Sequence, residues 1–493
     1  MIPMTIEEIA KAISAQVKNL DSNVKVTGKV VIDSRKVSKG DLFVAINGEN
    51  VNGLDFCEAA IKQGAVAVIA AKEITGVPTL LVSNGNLDSR DVDQPTVIAL
   101  GKLATYLLTK LPNLWKVAVT GSSGKTTTKD LLADLGKLIG ATVAPTGSFN
   151  NEIGLPLTLL KLHRHHQLAV LEIGMNHPGE TSFLAQIACP NIALINNAQR
   201  EHQEFMHTVQ AVALEHGAVI KSLDPDGIAI FPADSEYTPI WRDLAGQSTT
   251  YEFELGTLQN PSQADIHGFW AQDGKLTICF GPMSGASSEN TVQVQLKTLG
   301  DHNAKNALAA AAVAYAAGIE LSAIQEGLEG FKPVSGRMYE HHLPSIYGQG
   351  RMIDDTYNAN PDSVLAAIDV LRTMPGQRWL VLGDMGEVGN QGVQFHQEIG
   401  SYAQRQGIDR VYVTGDLCKH VVEGFQTSLG STREVASQQA IYSNNMPDLL
   451  KRLQDDLQSS KEMDSISVLV KGSRFTKMER VVQALLAGES SCC

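Results

Sequence analysis

The sequence predicts an α/β fold in three domains: a small N-terminal domain, a central phosphate-loop domain built on a parallel sheet, and a C-terminal doubly wound, Rossmann-like domain. Three observations carry this. Three stretches of the chain alternate short apolar strand patterns with helical ones. The middle stretch runs an apolar strand into V-T-G-S-S-G-K-T-T-T (119–128) and on into a helix. At 493 residues the chain is too long for one hydrophobic core. The division falls at 1–85, 86–331 and 332–493.

In the first stretch, KVTGKVVIDS, GDLFVAI and AVAVIAA read as short strands around the helical GLDFCEAAIKQGA. The polar, turn-rich SNGNLDSRDVDQP at 83–95 reads as a linker. A helix is expected at about 97–111, ahead of the phosphate loop. LAVLEIG (168–174) and NIALINNA (191–198) are near-continuous apolar runs, as buried parallel strands are. From 228 to 299 the pattern turns strand-rich and irregular, with YEFEL, ADIHGFW, KLTICF and TVQVQL. NAKNALAAAAVAYAAG then reads as a strong helix ending at Gly318. In the third stretch RMIDD, RWLVLGDM, RVYVTGD and ISVLVKGS are four strands separated by helical segments. Their ends, rich in Gly, Asp and Ser, fall where α/β folds place ligands.

Composition excludes several classes. A net charge of −13 with no basic stripe argues against nucleic-acid binding. No apolar run approaches the ~20 residues that span a bilayer, and the N-terminus MIPMTIEEIAKAI is not a signal peptide. Cys57, Cys189, Cys279, Cys418, Cys492 and Cys493 are scattered, which reads as reduced thiols in the cytoplasm. The terminal Cys-Cys is read as a disordered end and not a prenylation signal.

The chemistry concentrates around the phosphate loop. Gly121, Ser122, Ser123 and Gly124 let consecutive backbone N–H groups turn inward on an anion, and Thr126 and Thr127 open the following helix. Lys125 is placed to reach the terminal phosphates of a nucleoside triphosphate, and the Thr126 hydroxyl to sit on Mg²⁺. Position 119 is Val where the common form of this loop has Gly. Glu172, closing a predicted neighbouring strand, is the expected Mg²⁺ carboxylate. The polar run 196–204, containing His202, suggests a second inner site. Asn150 and Asn151 either read a ligand or cap the next helix. The run His163-Arg164-His165-His166 has no carboxylate or thiol nearby and reads as a solvated loop, not a metal site.

T-G-S-S-G-K-T-T, G-S-F-N-N-E-I-G-L-P, E-I-G-M-N-H-P-G-E, G-D-H-N-A-K-N-A and D-D-T-Y-N-A-N-P-D-S, in this order, resemble the ATP-dependent Mur ligases of peptidoglycan synthesis. The likeness extends from Asp33-Ser34-Arg35 to Val470-Lys471-Gly472-Ser473-Arg474, nearly the whole chain. D-D-T-Y-N-A-N-P and V-L-G-D-M-G-E-V-G are most similar to the MurF branch, and the D-Y-A-H-T-P and D-N-P-R blocks of the MurE branch are absent. The resemblance implies ATP and Mg²⁺, with UDP-N-acetylmuramoyl-tripeptide and D-alanyl-D-alanine as substrates, in a cytoplasmic monomer. It implies catalytic roles for Lys125, Glu172 and His202, the last helping to hold a second Mg²⁺. Asn303 and Asn306 would meet the adenine, and Arg337 and Asp355 would reach the nucleotide when the third domain closes. Asn358 and Asn360 would face the dipeptide, and Ser34 and Arg35 the UDP-sugar on the N-terminal domain.

Two positions depart from the pattern. Relatives carry a carbamylated lysine on the helix after the His202 segment, where this chain has His216. Either the second metal is held without a carbamate, through His216 or water, or His216 only fills space. Asn52 and Leu54, in V-N-G-L-D-F, replace the acid and histidine frequent in relatives. Within the family, a MurE-type or folylpolyglutamate-synthetase-like ligase is the alternative. Outside it stand a phosphate-loop kinase or GTPase switch, for which no N-K-x-D motif is found, and a noncatalytic nucleotide scaffold.

Overall fold

The computed structural model describes residues 1–48, 51–83, 94–147, 149–257, 262, 264–271, 273–281, 290–428, 438–460 and 465–487. Most of the predicted linker and the terminal Cys492 and Cys493 lie outside the described residues.

A nine-stranded sheet forms the middle of the molecule. Its order is Thr142–Val143, Leu168–Glu172, Trp115–Thr120, Ile192–Ile195, Ile228–Pro232, Thr249–Gly256, Ile266–Trp270, Lys275–Phe280 and Thr291–Gln295. The first seven run parallel, and the last two pairings, either side of Lys275–Phe280, are antiparallel. The stretch that reads as irregular from 228 onward therefore continues the phosphate-loop sheet. Its alternating burial, as in Thr291–Gln295, reflects a sheet covered more on one face than the other. The strand Trp115–Thr120 sits between Leu168–Glu172 and Ile192–Ile195, so the acids after those two strands flank the loop.

One face of this sheet is covered by the helices Lys125–Ile139 and Asp301–Ala316. Alanines at 309–312 are fully buried, and their small side chains let the second helix lie close to the strands. The other face packs on Pro95–Leu108, and its apolar cluster continues without a break into the N-terminal domain through Ile9 and Ile13. The N-terminal helix Ile6–Ile13 carries a full capping box, Thr5 with Glu8. Behind it a five-stranded sheet includes the expected strands at 30–31, 42–44 and 67–70, plus Gln16–Lys18 and Thr79–Leu81. Those last two are too short to show a period in sequence.

The C-terminal unit is a six-stranded sheet in the order Tyr339–His342, Gly350–Asp355, Ile466–Lys471, Gln377–Gly383, Arg410–Thr414, Gln439–Ser443. All neighbours are parallel except the first pair. The four predicted strands are its centre. The sequence reading missed both edge strands, whose residues are largely half-exposed and so carry no continuous apolar run. Among the described residues no helix is long and apolar enough to cross a membrane.

Candidate active site

The loop between Thr120 and Lys125 turns because two glycines adopt left-handed backbone, Gly121 at φ +133° and Gly124 at φ +79°. A Cβ on Gly124 would collide with Asn306 Oδ1 and Asn196 Nδ2. These amides form a buried support behind the loop. Asn303 accepts from Asn306 Nδ2 (3.1 Å), Asn306 Oδ1 accepts from Asn196 Nδ2 (2.8 Å), and Asn196 Nδ2 also donates to Ser123 O (2.7 Å). Asn197 Oδ1 accepts from Ser123 N–H at 2.9 Å, and Ser122 Oγ accepts from Gln199 N–H at 2.8 Å. Asn303 and Asn306 thus share one helix face, as their spacing predicts, and line the cavity directly under the loop.

Lys125 Nζ donates to Gly121 O and lies 3.3 Å from Glu201 Oε2. Thr126 donates to Glu172 Oε2 at 2.8 Å, and Asn150 Nδ2 donates to Glu172 Oε1 at 2.8 Å. The adjacent Asn151 caps the helix Gly154–Leu159 by accepting from Gly154 N–H at 2.9 Å. Asn151 thus takes the capping alternative, while Asn150 holds a carboxylate on the cavity wall. Hydroxyl and carboxylate oxygens at Thr126 and Glu172 are the hard donors Mg²⁺ takes, and the pair fits that ion. Thr127 lines the same cavity.

His202 has left-handed backbone (φ +47°). Its Nδ1 is 2.6 Å from Glu387 Oε2, and its Nε2 is 3.7 Å from Glu201 Oε2. The His202 contact holds Glu387 below the usual carboxylate range. His216 is fully buried. Its Nε2 lies 2.8 Å from Glu201 Oε1 and its Nδ1 2.9 Å from Thr120 Oγ1. Both nitrogens are engaged by protein groups and His216 does not line the cavity, so the geometry gives the direct-ligand alternative no support. It is not inert filler either, because it holds Glu201. Burial opposes a charge on Glu201, but Lys125, His216 and His202 outweigh it and keep the pKa at about 2. Burial likewise pushes His216 down and keeps it neutral. Sequence reasoning missed Glu201, although it precedes His202 in the polar run already singled out.

The C-terminal unit closes the other side. Arg337 Nη2 donates to Thr126 Oγ1 at 2.8 Å, its guanidinium 4.0 Å from the Tyr357 ring centroid. Asp355 is paired with Lys471 at 2.5 Å, and Lys471 also donates to Asn358 O at 3.0 Å. Asn360 caps the helix Pro361–Thr373 and donates to Ser123 Oγ at 3.4 Å, so its side chain belongs to the phosphate loop as much as to any dipeptide. Arg200, also missed in sequence, bridges the two units through Asp362 (2.6 Å) and Glu398 (2.7 Å). Ser34 and Arg35 are not brought to this cavity. They sit on the N-terminal domain, where exposed Arg35 pairs with Asp33 at 2.9 Å.

The cavity enclosed by these groups measures about 1770 Å³ and is lined from all three units, from Asn47 and Gln94 through the loop to Arg337 and Phe475. Single small ligands fill about 300–1,000 Å³, so this volume suits several substrates together. Among the described residues one further trio of metal-type side chains converges, Asp384, His396 and Cys418, all buried. Its donors are already used: His396 Nδ1–H donates to Gly392 O (2.7 Å), and its Nε2 accepts from Met385 N–H (3.2 Å). His163, His165 and His166 lie in a turn with their rings together, His163 stacked on His165 and His166 tilted against both.

Three family models match in register with these units: the Mur ligase family catalytic domain at 28–98, the Mur ligase middle domain at 119–314, and the Mur ligase glutamate ligase domain at 337–474. The chain is 34% identical over 486 residues to the UDP-N-acetylmuramoyl-tripeptide–D-alanyl-D-alanine ligase of Escherichia coli, covering 98% of this chain and 99% of that one. The enzyme of the same description from Haemophilus influenzae is 34% identical, with 98% and 99% covered. A crystal structure of MurF from Acinetobacter baumannii superposes with a TM-score of 0.85 at 28% identity, over 98% of this chain and 99% of that one. MurF from Thermotoga maritima in complex with ADP gives 0.77 at 26% identity, over 95% and 99%.

Proposed function

The chain belongs to the Mur ligase family, and from that premise we infer that it joins D-alanyl-D-alanine to UDP-N-acetylmuramoyl-tripeptide at the expense of ATP. The observation that carries the reading is one cavity in which a phosphate loop bearing Lys125, Thr126 and Glu172 faces residues of both flanking units. A kinase or switch needs no such three-sided chamber; an enzyme that brings a nucleotide and two further substrates together does.

The tripeptide carboxylate attacks the γ-phosphorus of ATP, the bond to the β-phosphate oxygen breaks, and ADP leaves an acyl phosphate. The dipeptide amine then adds to the acyl carbon, and the tetrahedral intermediate collapses with loss of phosphate and a proton. Lys125, the loop N–H groups and Arg337 hold the phosphates in line and balance their charge. Thr126 and Glu172 would hold Mg²⁺ and His202 would help to hold a second; such ions would supply the positive charge that offsets the triphosphate. Asn303 and Asn306 form the adenine side, Asp355, Asn358 and Asn360 the nucleotide and dipeptide side. Ser34 and Arg35 anchor the UDP-sugar end on the N-terminal unit. We divide the domains at 1–85, 86–331 and 332–493. We place the enzyme in the cytoplasm as a monomer; the free state of Cys57, Cys189, Cys279 and Cys418 accords with a reducing compartment.

The test is phosphate release with each substrate omitted in turn. Release that needs ATP, UDP-muramoyl-tripeptide and D-alanyl-D-alanine together is the expected result. Release without the acceptor dipeptide, or with a single amino acid in its place, overturns the reading.

A further inference from the structure

We propose that Glu201 is a carboxylate ligand of the second divalent cation, and that His216 is the positioning residue that aims it. The inference rests on the ligase reading above and adds to it two residues which that reading leaves without a task.

Glu201 is 6% exposed, yet it reaches the cavity. Its two oxygens have different surroundings. Oε1 is held at 2.8 Å by His216 Nε2, whose other nitrogen is 2.9 Å from Thr120 Oγ1. With a neutral imidazole and an ionised carboxylate, Thr120 O–H donates to Nδ1 and Nε2–H donates to Glu201. Thr120 is the last residue of the strand that feeds the loop, so the carboxylate is referenced to the loop itself.

Oε2 looks into the cavity, 3.3 Å from Lys125 Nζ and 3.7 Å from His202 Nε2. The second distance is too long for a hydrogen bond. It falls between the cis and trans separations of two ligands each about 2.1 Å from one Mg²⁺. Because Glu387 occupies the Nδ1 side of His202, Nε2 is the nitrogen turned to Glu201.

Charge decides what enters that gap. Glu172 and Glu201 follow the strands on either side of the loop strand and are both buried. A triphosphate adds roughly four negative charges, and repulsion between charges only a few ångströms apart is severe in a low-dielectric cavity. Lys125 serves one side. A cation between Glu201, His202 and the γ-phosphate neutralises the other, in the paired-ion arrangement that phosphoryl-transfer sites use. Both protein ligands are then unmodified side chains.

Mn²⁺ binding followed by electron paramagnetic resonance, with ADP or a non-hydrolysable ATP analogue present, tests the assignment without turnover. The wild-type chain is expected to bind two Mn²⁺ and Glu201→Gln one, at unchanged occupancy of the Thr126–Glu172 site. His216→Asn, which leaves the carboxylate but removes its brace, should weaken the second Mn²⁺ about tenfold, as loss of an outer-shell partner does. Glu201→Asp, which keeps the charge on a shorter arm, should weaken it too and serves if the Gln variant does not fold. Two Mn²⁺ at wild-type affinity in Glu201→Gln, or in both Glu201→Asp and His216→Asn, overturns the proposal, as does one Mn²⁺ in the wild type. A chain that binds no nucleotide at all would instead overturn the ligase reading.

Discussion

Lys125 is the side chain on which the phosphate chemistry turns, and its replacement separates site from fold. It contacts only Gly121 O and Glu201 among its hydrogen-bond partners, so Lys125→Ala leaves the core untouched. Phosphate release should fall at least about a hundredfold, as when one preorganised charge-stabilising donor is lost, while the chain still unfolds cooperatively, at a lowered melting temperature because buried Glu201 loses its main compensating charge; retained turnover would refute the assignment. His216 allows a different check. Imidazole forms no stable carbamate, so turnover should be the same in CO₂-depleted buffer as in bicarbonate. Gly124 is a third case, since its φ of +79° and the amides behind it leave no room for a Cβ. Gly124→Ala should weaken nucleotide binding, measured by calorimetry, because strain of about 1–3 kcal/mol is relieved only by moving the loop.

At the level of elements, the brace that holds Glu201 depends on how one helix is seated. The helix Val209–Gly217 carries His216 and packs under Thr238–Ala245, where fully buried Trp241 donates its indole N–H to Ala213 O at 2.9 Å. Trp241→Phe should cost about 1–3 kcal/mol in urea unfolding, through the lost hydrogen bond and a partial cavity. Element identity was legible where periodicity was long. The Ala-rich helix, the loop helix and the buried parallel strands all stand in the sequence as continuous patterns. Short or half-exposed strands such as Gln16–Lys18 and Gln439–Ser443 were not, because a few residues of mixed polarity fit strand and turn equally well. Asn151 and Asn360 show the same limit at helix starts: an amide before a helix reads as cap or ligand until its acceptor is seen.

For the whole molecule, the packing distinguishes two junctions. The N-terminal unit shares an apolar cluster with the central sheet, reinforced by Lys110–Glu8 at 2.7 Å. The C-terminal unit meets the centre largely through polar groups: Arg337 to Thr126, Asn360 to Ser123, His202 to Glu387, and Arg200 to Asp362 and Glu398. Polar contacts exchange readily for water, so closure should be governed at the second junction. Arg200→Ala should shift the balance to the open form by about 1–2 kcal/mol, five- to thirtyfold, read as a larger radius of gyration by X-ray scattering and a lower kcat/KM. The C-terminal unit also carries an acid sensitivity. Burial holds His396 below its ordinary pKa, and Met385 N–H occupies the nitrogen a second proton would need. The unfolded chain then binds more protons than the native one below about pH 6.5, so stability falls as pH drops through that window. The melting temperature should decline there, with a shallower slope in His396→Gln.

Local sequence alone determined the α/β class, the phosphate loop with Lys125 and Thr126, Glu172 at a strand end, and the family likeness. These rest on contiguous residues whose periodicity and steric demands need no partner from elsewhere in the chain. Tertiary structure decided which distant side chains share a charge. Glu201 became a braced carboxylate only when a helix fifteen residues on brought His216 to it, and Arg200 became a bridge only when two helices of the C-terminal unit presented Asp362 and Glu398. Electrostatics acts through space, over a few ångströms and according to burial, and neither quantity is written in the order of the residues.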